Sequence, residues 1–157
     1  MIRIQREDFD VGRELAALSA GNAKVGGMAV FVGLVRDMAG GETVRRVMLE
    51  HYPGMTEKKL AEIEAEAHRR WPLESTLVIH RYGELMPGER IVLVAACSAH
   101  RDAAFEACRF LIDWLKTQAP FWKLEEKASG AEWVQAKDSD EAAAAAWTKE
   151  PRGRAKE

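Results

Sequence analysis

The sequence predicts an α+β domain in which helices pack on a largely antiparallel sheet. Two observations lead to that class. The runs "TLVIHRYGEL" and "ERIVLVAACSA" read as strands, and the "MPGE" between them sets Pro87 and Gly88 at the centre of a tight turn, so an antiparallel hairpin is the natural outcome. The stretches "PGMTEKKLAEIEAEAHRRW" and "HRDAAFEACRFLIDWLKTQ" instead repeat their apolar residues at helical spacing.

Length and charge bound the class further. A chain of 157 residues suffices for one domain that buries most of its apolar surface without metal or disulfide staples. With 47% apolar residues, 31% charged residues and a formal net charge of −2, it is neither disordered nor a nucleic-acid coat, so any basic function is local. Cys97 and Cys108 belong to no CxxC or Cys/His cluster and are expected as buried free thiols. The opening "MIRIQREDFD" is charged from residue three, and the longest apolar run, "IVLVAACSA", falls far short of the roughly 20 residues that span a bilayer. The reading is a cytoplasmic protein without a membrane segment.

In chain order, residues 2 to 5 form a short strand, and Asp10 caps a helix through about Ser19, with Val11, Leu15 and Leu18 at helical spacing. "GGMAVFVGLVRD" is nearly continuous in apolar residues and is expected as a strand buried on both faces, emerging at Arg36 and Asp37. "MAGGET" is a loop before the strand "VRRVMLEHY", where Val47, Leu49 and His51 share one face. Thr56 is the expected N-cap of the next helix, Leu60, Ile63, Ala67 and Trp71 its buried stripe, and Pro72 its stop. After the hairpin, Phe105, Cys108, Ile112 and Leu115 define the buried side of a helix that ends before Pro120 and carries Lys116 in its last turn. "FWKLEEK" and "EWVQAK" form a final hairpin, followed by an alanine-rich helix from about Asp138 to Trp147. The single domain therefore covers 1–147, and 148–157, without a large apolar residue, is a disordered tail.

No nucleophile elbow, P-loop, dinucleotide fingerprint or metal-ligand pattern occurs, and no cofactor is assigned. The candidates are basic side chains at the ends of elements. Arg36 leaves a strand beside a glycine loop, as a plain strand-end charge or an anion contact. His100 and Arg101 open a helix, where positive charge is mildly unfavourable unless an anion uses it. Lys116 and Lys123 flank "TQAPFW": Pro120 breaks the helix, Phe121 and Trp122 anchor the chain, and Lys123 can turn back toward Lys116. Two ammonium groups in a partly dry pocket would repel each other, lowering at least one pKa. Arg101 and Lys116 are 15 residues apart, roughly 22 Å of helix, too far to share a small ligand; a twofold dimer would bring the two ends together.

These residues lie in segments that, together and in order, resemble the catalytic (large) subunits of molybdopterin synthase: "FVGLVRD", "LEHYPGMTEKKL", "IHRYGEL", "SAHRDAAFEACRF" and "LKTQAPFWKLE", within a likeness running from about Arg3 to Trp147. The resemblance implies an α/β-hammerhead fold and a sulfurtransferase of molybdenum-cofactor biosynthesis. Its substrate would be cyclic pyranopterin monophosphate. Its sulfur donor would be a small ubiquitin-like subunit with a thiocarboxylated Gly-Gly C-terminus, in a heterotetramer around a homodimer of large subunits.

Carried over by motif, substrate contacts fall on Leu34, Val35, Arg36, His100, Arg101, Lys116, Lys123, Leu124 and Glu125, with Lys116 and Lys123 catalytic. The resemblance gives Arg36, His100 and Arg101 the pterin and its phosphate, the last two from the neighbouring subunit. Leu124 stands where relatives often carry Arg, so only its backbone can contribute. Lys137 replaces another Arg and would trade a bidentate contact for a point charge. The alternative is a non-catalytic module that binds a ubiquitin-like tail through Phe121, Trp122 and the lysines. Single-stranded nucleic-acid binding fits poorly with a net charge of −2 and two tyrosines.

Overall fold

The computed structural model describes residues 1–134 and 138–148. The elements follow as β1 (Ile2–Gln5), α1 (Val11–Ser19), β2 (Gly27–Leu34), β3 (Met38–Ala39), β4 (Glu42–His51), α2 (Met55–Arg70), β5 (Leu73–Arg81), β6 (Gly83–Leu85), β7 (Arg90–Ser98), α3 (Arg101–Gln118), β8 (Phe121–Lys127), β9 (Gly130–Val134) and α4 (Asp138–Ala145), then a 3-10 turn over Ala146–Thr148. Of the tail expected at 148–157, only Thr148 lies within the described residues.

The near-continuous apolar run of β7, and the shorter one at Leu77–Ile79 of β5, are explained by cover on both faces. A four-stranded sheet has the order β1-β5-β7-β2, with β1 parallel to β5 and the other pairs antiparallel. Val78, Val92, Val94 and Ala96 join Leu60, Ile63, Ala67, Phe110 and Leu111 of α2 and α3 in the main core. The alternate residues Leu77, Ile79, Leu93 and Ala95 face Phe9 and the α1 residues Val11, Leu15 and Leu18. Successive side chains point to opposite faces, so a strand between two helical layers must be apolar throughout.

The second sheet has the order β3-β4-β8-β9, with β6 on β4 as well, and its core is Val35, Val44, Val47, Leu49 and Leu85. The expected hairpin forms between β5 and β7, but its first arm is broken. The chain leaves the first sheet at Tyr82, and Gly83, at φ 93°, starts β6, which pairs with β4. The turn Met86–Glu89 closes by a bond from Glu89 N–H to Met86 O of 3.0 Å, with Gly88 at φ 88°.

Several expectations change. β2 is an edge strand and is not buried on both faces: Met28, Val30, Phe31 and Leu34 are exposed, and only Ala29 is buried within it. The loop "MAGGET" holds a two-residue strand, β3, turning through Gly40 and Gly41 at φ 59° and 80°, which suits a hairpin turn. Thr56 is not the N-cap of α2. Gly54 is, its N–H donating to Glu57 Oε2 at 2.6 Å, while fully buried Thr56 donates its hydroxyl to Tyr52 O at 2.8 Å. On α3 the buried face is set by Ala103, Ala104, Ala107, Phe110 and Leu111 together with Cys108, Ile112 and Leu115, and Phe105 points out, 64% exposed. Asp10 caps α1 as expected, accepting from Arg13 N–H at 2.9 Å. Trp147 donates to Asp113 at 2.8 Å and meets Trp71 and Phe110 edge-on, which fastens the 3-10 turn after α4 to α3 and the end of α2.

Candidate active site

At the end of α3 the chain turns without a loop. Pro120 has no N–H to continue the helix, and Phe121 N–H donates to Ala119 O at 2.8 Å as the chain enters β8. Alternation along β8 then puts Phe121, Lys123 and Glu125 on one face and Trp122 and Leu124 on the other. Lys116, in the last turn of α3, and Lys123 thereby line one cavity of about 750 Å³, the geometry expected from the sequence.

Its walls come from both sheets. β2 supplies Phe31 and Leu34 and, just beyond a register shift at Gly33/Leu34, Arg36. Ile91, Ile112 and Leu115 form an apolar side, and α4 brings Ser139 and Asp140. The floor holds His80 of β5, stacked on the Phe121 ring with centroids 3.7 Å apart and planes inclined by 17°. His80 is buried, and burial pulls its pKa from 6.5 down to about 4. Its Nδ1 lies 2.7 Å from Arg81 O, a contact that only an Nδ1–H can make into a hydrogen bond.

The two lysines are not an uncompensated pair. Lys116 Nζ is 3.9 Å from Asp140 Oδ1, and Lys123 Nζ is 3.2 Å from Glu125 Oε1. Glu125 also meets Lys127 Nζ at 3.6 Å, so a buried carboxylate sits between two ammonium groups. The mutual repulsion expected of Lys116 and Lys123 is offset by these carboxylates. A smaller cavity of about 360 Å³ adjoins, shared by Arg36, Lys123, Glu125 and Lys127.

The other expected residues separate. Val35 is buried in the second core and does not line the cavity; its N–H donates to Glu89 O at 2.9 Å and its carbonyl accepts from Gly88 N–H at 2.8 Å, which aims Leu34 and Arg36. Leu124, on the opposite face of β8, pairs in register with Met48 and Trp133. Lys137 lies outside the described residues. His100, the N-cap of α3, and Arg101 are exposed at the far end of that helix, away from the cavity. Arg101 lies beside the start of β2: a Cβ on Gly27 would come 3.9 Å from its Cα.

Sequence reasoning missed His80, Asp140 and Lys127. For His80 a signal existed, an imidazole directly following the apolar residues Leu77, Val78 and Ile79 of a strand. Asp140 and Lys127 read as ordinary surface charges. Cys97 and Cys108 are buried free thiols, and burial pushes Cys108 up to about 11, so it is inert at neutral pH.

A cavity with apolar walls that is also lined by two lysines and an arginine has the chemistry to take an anionic, partly apolar ligand. The chain belongs to the MoaE protein family, whose model matches residues 4–118. It is 55% identical over 146 residues to the molybdopterin synthase catalytic subunit of Pseudomonas aeruginosa, covering 93% of this chain and 97% of that one. The molybdopterin biosynthesis MoaE protein from Burkholderia ambifaria superposes with a TM-score of 0.81 at 51% identity, over 96% of this chain and 99% of that one. Molybdopterin synthase from Staphylococcus aureus gives 0.79 at 32% identity, over 85% and 96%.

Proposed function

We propose that this chain is the catalytic subunit of a molybdopterin synthase, a sulfurtransferase of molybdenum-cofactor biosynthesis working in the cytoplasm as a single domain. It would transfer sulfur from the thiocarboxylated C-terminus of a small ubiquitin-like subunit to cyclic pyranopterin monophosphate, forming the molybdopterin dithiolene. The observation that carries this reading is the joint presence of Lys116 and Lys123 in one cavity, in a chain of this family. Half-exposed Lys116 holds the anionic tail, or forms an amide with its acyl carbon as the C–S bond breaks and hydrosulfide leaves, and Lys123, steadied by Glu125, assists proton transfer as sulfur attacks the precursor. Arg36 takes the precursor's phosphate. Leu124 contributes at most its backbone, and Lys137 is retained as a further contact.

The site is completed by a second copy. An edge strand with Met28, Val30, Phe31 and Leu34 exposed is the kind of surface a homodimer covers. β2 and α3 run in the same direction, Gly27 beside Arg101 and Leu34 sharing the cavity with Lys116. Pairing two β2 edges antiparallel about a twofold axis would bring the partner's His100 and Arg101 toward Leu34 and Arg36. The small subunits then bind at the outer ends, giving a heterotetramer.

The test is a purified assay with thiocarboxylated small subunit and pyranopterin precursor. Wild type forms the dithiolene product and Lys116→Ala does not; a Lys116→Ala variant with wild-type turnover removes Lys116 from the mechanism. A wild-type chain that binds the tail, thiocarboxylated or not, and leaves the pterin unchanged is instead a non-catalytic binding module. For the shared site, heterodimers of an Arg101→Ala and a Lys116→Ala chain retain about half of wild-type activity, because one composite site stays intact.

A further inference from the structure

We propose that His80 is a substrate-binding residue at the floor of the cavity, its Nε2 accepting a hydrogen bond from an N–H of the pterin ring system. The inference rests on the pterin-processing reading above and adds to it a residue that no sequence motif assigned to the chemistry.

Three observations converge on that nitrogen. His80 lines the same cavity as Lys116 and Lys123, yet is only 5% exposed. Its ring is immobilised, stacked on Phe121 at 3.7 Å, while Nδ1–H is engaged by the Arg81 carbonyl at 2.7 Å. That contact fixes the tautomer and leaves Nε2 as a bare lone pair. Among the described residues Nε2 has no hydrogen-bond partner, and the cavity is the space left to it. Among the described residues the fully buried side-chain nitrogen or oxygen without a partner is Arg3 Nε, so Nε2 of His80 opens onto the cavity, where a ligand N–H can take the place of solvent water.

The chemistry of the lone pair selects among ligands. A carboxylate or thiocarboxylate offers no proton and is repelled by Nε2, so the tail terminus belongs with the ammonium groups of Lys116 and Lys123. A pterin presents ring and amino N–H groups along the edge of a flat heterocycle, which can enter beside the apolar wall of Ile91, Ile112 and Leu115. The low basicity of His80 keeps it neutral through the physiological range, so it serves as a fixed acceptor and not as a proton carrier.

The experiment uses the full-length wild-type protein with imidazole-¹⁵N histidine. It is titrated separately with cyclic pyranopterin monophosphate and with carboxylate-terminated small subunit. The expected result is that the unprotonated Nε2 resonance of His80 moves upfield, as for an acceptor gaining a hydrogen bond, on saturation with the pterin and not with the small subunit. In calorimetry, His80→Phe, which keeps the stacked ring and loses the acceptor, weakens pterin affinity about tenfold or more and leaves small-subunit affinity within about twofold. His80→Gln, with an amide oxygen in reach, recovers part of the loss. An unmoved Nε2 resonance in a wild-type protein that binds pterin overturns the assignment, whether or not the variants fold. So does a shift produced by the small subunit alone. A wild-type protein that binds neither ligand overturns the function proposed above, and this assignment with it.

Discussion

His80 and Phe121 stack ring on ring, 3.7 Å between centroids, and this contact joins the strand at the cavity floor to the turn that ends α3. Phe121 also approaches His51, with centroids 6.1 Å apart, so one ring braces both sheets. Phe121→Ala removes that brace and opens a void beneath Lys123. We expect a loss of about 2 to 3 kcal/mol in urea unfolding, together with a fall in turnover, whereas Phe121→Tyr loses far less.

Acid acts on the same imidazole. Above pH 6.5 His80 is neutral whether folded or not, and folding carries no protonation penalty. Between pH 6.5 and about 4 the unfolded chain binds a proton that the buried ring refuses, so stability falls as pH falls, levelling off below about 4. The full effect is at most about 3 kcal/mol. Asp8 and Glu66, each held near 2 by neighbouring arginines, act in a lower window and are solvent-screened. Urea midpoints of wild type and His80→Phe between pH 7 and 4.5 check this: wild type declines over that range, and the variant stays flatter.

Glu125 is the counter-ion of two lysines, and neutralising it should be worse than its single charge suggests. Glu125→Ala leaves the Lys123 and Lys127 ammonium groups facing each other without the carboxylate between them. Breaking a buried pair from one side costs about 3 kcal/mol, and Lys123 swings out of the cavity. Thermal unfolding gives the first effect. Turnover at a temperature where the variant remains folded gives the second. Glu125→Ala with wild-type stability and activity would show the carboxylate to be dispensable.

Trp147 fastens α4, and α4 carries Asp140 against Lys116. Trp147→Ala removes the edge contacts to Trp71 and Phe110 and the bond to Asp113. We expect a loss of about 3 kcal/mol and faster amide exchange across Asp138–Ala145, with β5 and β7 still protected. Uniform exchange across the whole chain would mean that α4 is not a separable unit.

Much of the fold was legible because pattern and burial agree. The stripe Leu60, Ile63, Ala67 and Trp71 is buried as its spacing requires, and Lys116 and Lys123 line one cavity on either side of the break that Pro120 imposes. The failures have specific causes. β2 has the apolar composition of β7, but its apolar residues at Met28, Val30 and Phe31 are exposed at a sheet edge. Composition reports that a surface is apolar, not which molecule covers it. Phe105 fits helical spacing, yet the close packing of Ala103, Ala104 and Ala107 against the first sheet decides which side of α3 is inside. Gly83 breaks a strand through a backbone angle that side-chain periodicity does not register. Of the candidate site, Arg36, Lys116 and Lys123 were readable as local signals near element ends, whereas Lys127 was not, and the His80 contact with Phe121 joins residues 41 positions apart through tertiary packing.

α3 and β2 also act together as a ruler. The helix is 18 residues long, about 27 Å, and the strand beside it is 8 residues long, about 26 Å, so the two elements are commensurate. Arg101 and Gly27 mark one end, and Lys116 and Leu34 the other. Side chains along this span can be exchanged without disturbing the separation of its ends. A residue inserted into either element alone rotates or slides one end past the other, so the pair tolerates changes of composition far better than changes of length.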